Sequence, residues 1–275
     1  MNKFGWVRDY ADFRDLNDNS SQIRAILDRS ANLKAVKAVI PTSVDLRQWF
    51  TPIEDQSNLG SCTAQAAAGL VEYYENKAYG KFLNASRLFI YKATRNLMGL
   101  VGDTGASLRD TMKALVLFGA PDEKYWPYVI SNFDKEPTAF IYSLGQNFKA
   151  MQYYRLDVAG VTPQNLLVSI KQKVAAGLPQ MFGFSVYSSI SNAADIPYPK
   201  SGDRLLGGHA IVVSGYDDTR VIGGFKGALM IRNSWGTSWG NQGYGWLPYQ
   251  YVTSGLANDF WALVQSSYID TTLFA

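Results

Sequence analysis

A single cysteine and a single histidine occur in 275 residues. With one thiol the chain cannot form an internal disulfide, and with one Cys and one His a conventional zinc site would need extra carboxylates for which no ligand spacing is present. No metal or other cofactor is therefore expected. Charge of one sign is scarce too. The net charge of +3 comes from 26 basic and 23 acidic residues spread along the chain, too mild and too scattered for a nucleic-acid surface. Long apolar runs are missing. The uncharged stretch 174–194 is interrupted by Gly177, Pro179, Gly183 and several serines, which excludes a spanning helix there, and no membrane partner is expected. The first ten residues carry charge where a secretory signal would have its apolar core, so a cytoplasmic location is the expectation, with secretion of a trimmed form left open. There is no phosphate loop, dinucleotide fingerprint or internal repeat, and the glycine pairs at 102–105 and 223–224 are weak signals on their own.

What is present is concentrated around those two rare residues. Cys62 follows Gln56-Ser57-Asn58-Leu59-Gly60-Ser61 and opens an alanine-rich, strongly helix-forming run to Tyr79. A cysteine there sits at a helix N-terminus, where the positive end of the helix dipole favours thiolate. His209 follows two glycines and precedes the apolar run Ala210-Ile211-Val212-Val213. A thiol and an imidazole are the nucleophile and proton carrier of thiol catalysis. The plain alternatives are a buried structural cysteine and a core histidine.

A third segment decides between these readings. Asn233 lies in Arg232-Asn233-Ser234-Trp235-Gly236-Thr237-Ser238-Trp239-Gly240, followed by Gly243-Tyr244-Gly245. The order Gln56, Cys62, His209, Asn233 resembles the papain-like cysteine peptidases, over a stretch from about Val44 to about Trp246. The interval from Cys62 to His209 falls in the range of about 130 to 150 residues known for that family. The sequence departs from papain itself at Leu59 and Thr63, where papain has a cysteine and a tryptophan. The family's structural disulfides are thus impossible here, as in a disulfide-free prokaryotic type of member. The interval from His209 to Asn233 is also longer than usual, and residues 217–227 are expected to form a long turn between two strands.

The resemblance implies an α+β, papain-like fold in two halves, one helical and one β-barrel-like, with the active site in the cleft between them. The expected division is a 1–40 extension and a 41–275 peptidase domain, helical over about 41–150 and β-rich over about 151–275. It also implies a cysteine-type endopeptidase acting on protein or peptide substrates through a Cys62–His209 thiolate–imidazolium pair and a thioester. In that scheme Asn233 orients His209, Gln56 donates to the oxyanion, and Trp235 covers the Asn233–His209 bond. Gly105 would pair with extended substrate and Ala210 would line the main specificity pocket. A transacylase or peptide ligase on the same site, and an inactive peptide-binding relative, are the alternatives.

Local signals fill in the framework. Helices are expected over Ser86 to Leu97, Ser107 to Gly119, and from Thr162-Pro163 to Gly177, from cap residues and apolar spacing. Strands are expected at 180–187, 209–216, 228–233, 243–247 and 259–265. Residues 1–40 carry one amphipathic segment (Ile23, Ile26, Leu27, Leu33) and four aromatic anchors, Phe4, Trp6, Tyr10 and Phe13. An inhibitory arm laid over the cleft and a structural trim are both open readings of this extension.

Overall fold

The computed structural model describes residues 3–148 and 152–264. In chain order the elements are β1 (Trp6–Val7), α1 (Ser21–Leu27), α2 (Ala31–Ala38), β2 (Ser43–Asp45), α3 (Cys62–Tyr79), α4 (Arg87–Leu97), β3 (Ala106–Ser107) and α5 (Leu108–Phe118). They continue with α6 (Ala139–Gly145), β4 (Gln152–Arg155), α7 (Pro163–Ala175), β5 (Gln180–Tyr187), β6 (Leu205–Ile222), β7 (Phe225–Arg232), β8 (Tyr244–Pro248), α8 (Gln250–Thr253) and β9 (Ala257–Val264). The result is the expected α+β arrangement, with α3, α4 and α5 packed together on one side and an antiparallel sheet on the other.

The helices start where short polar side chains can satisfy first-turn N–H groups. Ser86 Oγ accepts from Phe89 N, Ser107 Oγ from Asp110 N, and Thr162 Oγ1 from Asn165 N, with Pro163 in the first turn of α7. The sheet runs β4-β9-β5-β6-β7-β8, with β2 pairing on β6. In the middle of β6, residues 209–216 are all buried. This strand packs against α3, so the seam between helices and sheet runs past the first turn of α3.

Residues 217–227 correct one expectation. They are mostly strand, because β6 continues to Ile222 and β7 begins at Phe225, leaving Gly223 and Gly224 as a two-residue turn. Both have positive φ (57° and 88°), the geometry that lets a tight hairpin follow strand twist. A register shift between Asp217 and Val221 absorbs the polar residues that made the segment read as loop. The extension forms two helices, α1 and α2, where one amphipathic segment was read. β2, β4 and the short β1–β3 pair were also not anticipated. Gln265, the last residue of the expected final strand, lies outside the described residues.

Three hydrogen bonds tie the halves together just ahead of Gln56. Arg232 on β7 donates to the Thr51 and Pro52 carbonyls at 2.9 and 2.8 Å, and Thr51 Oγ1 donates to Glu72 on α3 at 2.6 Å. Burial raises the Glu72 carboxyl to about 7, against the lowering effect of Thr51 and the Ala85 N–H.

The exposed cap on α7 offers a local test of this framework. Thr162→Ala should cost about 1 kcal/mol, lowering the melting temperature by about 2–4 °C. An unchanged melt would show that water replaces the cap.

Candidate active site

Cys62 is the first residue of α3, and its side chain is buried in the seam. Backbone N–H groups of Ala210, Gly5, Thr63 and Cys62 itself point toward its sulfur. Ala210 N–H places the neighbouring His209 on the same seam from the β6 side. His209 is fully buried, and its Nε2 bonds to Asn233 Oδ1 at 2.7 Å. Its Nδ1 is buried with no hydrogen-bond partner. Trp235 stacks on the imidazole (centroids 4.6 Å apart, planes 23° apart), and Trp239 packs edge-on against Trp235.

Gln56 is held from three sides. Its Oε1 accepts from Ser234 Oγ at 2.6 Å, its Nε2 donates to the Leu59 carbonyl at 3.0 Å, and its backbone N–H donates to the Ser234 carbonyl. The Ser234 N–H meanwhile donates to Asn233 Oδ1 at 2.8 Å. Ser234 therefore braces both amides, one through its hydroxyl and one through its backbone. Ser234 lies in the quoted motif, but its bracing role depends on a turn that brings residues 54–56 beside 234–236.

The amino-terminal arm lies directly over these groups. Gln56 Nε2 gives its second hydrogen bond, 2.9 Å, to the Lys3 carbonyl. Phe4 packs edge-on against both His209 and Trp235. Gly5 lies so close to Gly60 that a Cβ added there would fall 1.9 Å from the Gly60 oxygen. The Gly5 carbonyl accepts from Ala106 N at 2.8 Å, and Trp6–Val7 pairs in parallel with Ala106–Ser107. Gly105 has φ +75°, and a Cβ on it would fall 2.3 Å from the Gly5 oxygen. Only glycine leaves room for a chain there.

Of the sequence-derived residues, Gln56, Cys62, His209, Asn233 and Trp235 are thus brought together, and Gly105 borders the arm. Ala210 is buried with its N–H toward the sulfur, while the glycines flanking the Trp6 ring are Gly183 and Gly208. Phe4 and Trp6 are anchors as read. Tyr10 and Phe13 are not, being 76% and 96% exposed. What holds the chain there is ionic: Arg109 on α5 pairs with Asp9 at 3.0 Å and Asp15 at 2.8 Å. Arg155 on β4 donates to the Asp9 carbonyl. Among the described residues no group of His, Cys, Asp and Glu could hold a metal ion.

Burial sets the electrostatics. Burial pushes the Cys62 thiol up to about 11, against the lowering effect of the surrounding N–H groups. It pushes His209 down to about 4, against the raising effect of Asn233. Desolvation disfavours both charged forms, which favours thiol and neutral imidazole over thiolate and imidazolium while the site is covered.

Residues 40–262 match the papain family cysteine proteases. Xylellain, a cysteine protease from Xylella fastidiosa, is 34% identical, with 95% of this chain and 96% of that chain covered and a TM-score of 0.77. An uncharacterized peptidase C1-like protein of Acanthamoeba polyphaga mimivirus is 31% identical over 94% of this chain and 86% of its own. Mouse cathepsin K is 28% identical over 74% of this chain, which spans 59% of that relative's length. The chain belongs to the papain family of cysteine peptidases.

The pKa directions give a test. Iodoacetamide labelling of Cys62 in the full chain should be slow at neutral pH and rise as pH approaches 11, because the raised pKa keeps the sulfur protonated below it. Fast labelling at pH 6 in the full chain would contradict a covered, neutral pair.

Proposed function

We propose that the protein is an endopeptidase in which Cys62, His209, Asn233 and Gln56 carry the reaction, and that residues 3–7 hold it inactive. The observation that carries this reading is the His209 Nε2–Asn233 Oδ1 bond, which commits one ring nitrogen and leaves Nδ1 free on the seam that holds the sulfur. Once the arm leaves and water enters, the desolvation that keeps the pair neutral is relieved. The thiol proton can then pass to Nδ1, and the dipole of α3 stabilises the thiolate.

The thiolate attacks the scissile carbonyl carbon, and the oxygen takes up negative charge facing Gln56 Nε2 and the Cys62 N–H. Collapse breaks the C–N bond, with the imidazolium giving its proton to the leaving amine. Neutral imidazole then takes a proton from water as that water attacks the thioester, releasing the acid and restoring the thiol. Asn233 and the stacked Trp235 keep the ring aligned in a dry setting, which strengthens their hydrogen bond.

The arm is not positioned to be cut. The carbonyl at the Gln56 amide is that of Lys3, whereas the group facing the sulfur is the N–H of Gly5. Attack needs one and the same carbonyl at both places.

Cys62→Ala should abolish hydrolysis with folding intact. Ser234→Ala should lower kcat more than it raises KM, by less than the roughly 10²–10³-fold expected for loss of the Gln56 donor itself. Retained turnover in Cys62→Ala would refute the nucleophile. Product masses with and without added amine separate hydrolysis from transfer.

The arm is tested by Gly5→Ala in the full chain. The added methyl cannot fit over Gly60, so labelling of Cys62 and kcat/KM should both rise by at least about tenfold, which corresponds to roughly 1.4 kcal/mol of lost docking. Unchanged values with a native melt would leave the arm a structural role only.

A further inference from the structure

We infer that the slot filled by Trp6 is a side-chain-selecting subsite tuned by Asp259 to take an indole from substrate. This rests on the reading of the arm as an occluding segment and goes on to name what the uncovered site selects.

The slot is flat and tight. A Cβ added at Gly183 on β5 would fall 1.9 Å from Trp6 Cε2, and one at Gly208 on β6 would fall 2.7 Å from Cε3. Two glycines on adjacent strands thus leave space for a planar ring lying against backbone. At the far edge of the ring, Trp6 Nε1 donates to Asp259 Oδ2 at 3.0 Å.

Asp259 is placed there at a cost. It is fully buried, and its φ of +64° is a left-handed conformation unusual for a residue other than glycine. The carboxylate of Asp157 holds that turn by accepting the Asp259 and Phe260 N–H groups at 2.7 and 2.9 Å. The kink aims the two oxygens differently. Oδ1 accepts from Trp261 Nε1 at 2.6 Å and lies 3.3 Å from Arg155 Nη1, so the protein body supplies its partners. Among the described residues, both hydrogen bonds to Oδ2 come from the arm, from the Trp6 indole and from the Asp9 N–H at 3.4 Å. When the arm leaves, one oxygen of a buried carboxylate faces an empty slot.

The chemistry of that slot ranks its occupants. An indole fills the plane and restores a donor to Oδ2. Phenylalanine fills the plane but leaves the oxygen dry and unpaired, which is the costly case. Leucine does not match the flat gap between two glycines. A lysine or arginine head would have to shed its water to lie flat between two glycines, with the guanidinium of Arg155 already 3.3 Å from Oδ1, a desolvation cost that the indole does not carry.

The test uses the full chain with Gly5→Ala, whose arm cannot seat, on a peptide library varied one position at a time, with cleavage sites read by mass spectrometry. The expected result is one subsite at which Trp exceeds Phe in kcat/KM by about tenfold, in line with a hydrogen bond to a charged group, and also exceeds Leu and Arg. Adding Asp259→Asn should shrink the Trp-to-Phe ratio. Because that change touches the Arg155 pairing, Gly183→Ala serves as the second variant: it leaves the carboxylate alone, narrows the slot, and should abolish the preference for aromatic side chains at that subsite only. An active Gly5→Ala enzyme with equal rates for Trp and Phe at every position overturns the proposal and leaves the occlusion reading standing. No gain in Cys62 labelling on Gly5→Ala overturns the occlusion reading and this proposal with it.

Discussion

The structure depends on the burial of a reactive sulfur at the start of one helix against the strand that carries the histidine. That seam is buried, so a polar group lining it must find a partner or cost stability. The partners are supplied in a chain. Asn233 takes one imidazole nitrogen, Ser234 braces both Asn233 and Gln56, and Arg232 pins the segment leading to Gln56. The consecutive residues 232–234 thus orient the reacting groups from one strand end. The alanines of α3 make the same point from the other side, since small side chains let the helix approach β6 closely enough for its first residue to enter the seam.

The arm works through two kinds of contact with different physical behaviour. Its tip is a tight fit of Phe4, Gly5 and Trp6 against rings and glycines, where displacement by a single methyl group matters. Its base is a set of ion pairs, from Arg109 to Asp9 and Asp15 and from Arg155 to Asp15; the Arg109–Asp9 pair is partly open to solvent and so weakened by salt, while Arg155–Asp15 is buried. In the proposed reading, a fit at the tip with a tether at the base would let the tip leave the cleft while the arm stays attached. In the proposed reading the same covering acts on the chemistry beneath it, because removing water from a thiol and an imidazole disfavours the charged form of each.

Much of this was legible in the sequence, and what was not has a physical reason. The helices α3, α4, α5 and α7 announce themselves through Ser, Thr, Pro and Gly at their ends, and the motifs around Cys62, His209 and Asn233 are local patterns. The hairpin of β6 and β7 was hidden because Asp217, Asp218, Thr219 and Arg220 have loop composition, and a register shift lets such residues remain within paired strands. Phe4 and Trp6 were visible as aromatics, but Gly183, Gly208 and Asp259, which receive Trp6, come from distant strands that only the folded sheet assembles. Tyr10 and Phe13 misled for the converse reason: aromatic character shows what a side chain could bury, and the ion pairs that actually hold this stretch require positions in space.

The central claim is that arm and substrate exclude one another at Cys62. The most direct measurement is amide hydrogen exchange over residues 3–10 before and after covalent labelling of Cys62 by a peptidyl epoxide. The account predicts that protection of Trp6, Val7 and the paired Ala106 N–H is lost on labelling while the interior of α3 stays protected. Stoichiometric labelling with arm protection unchanged would contradict it.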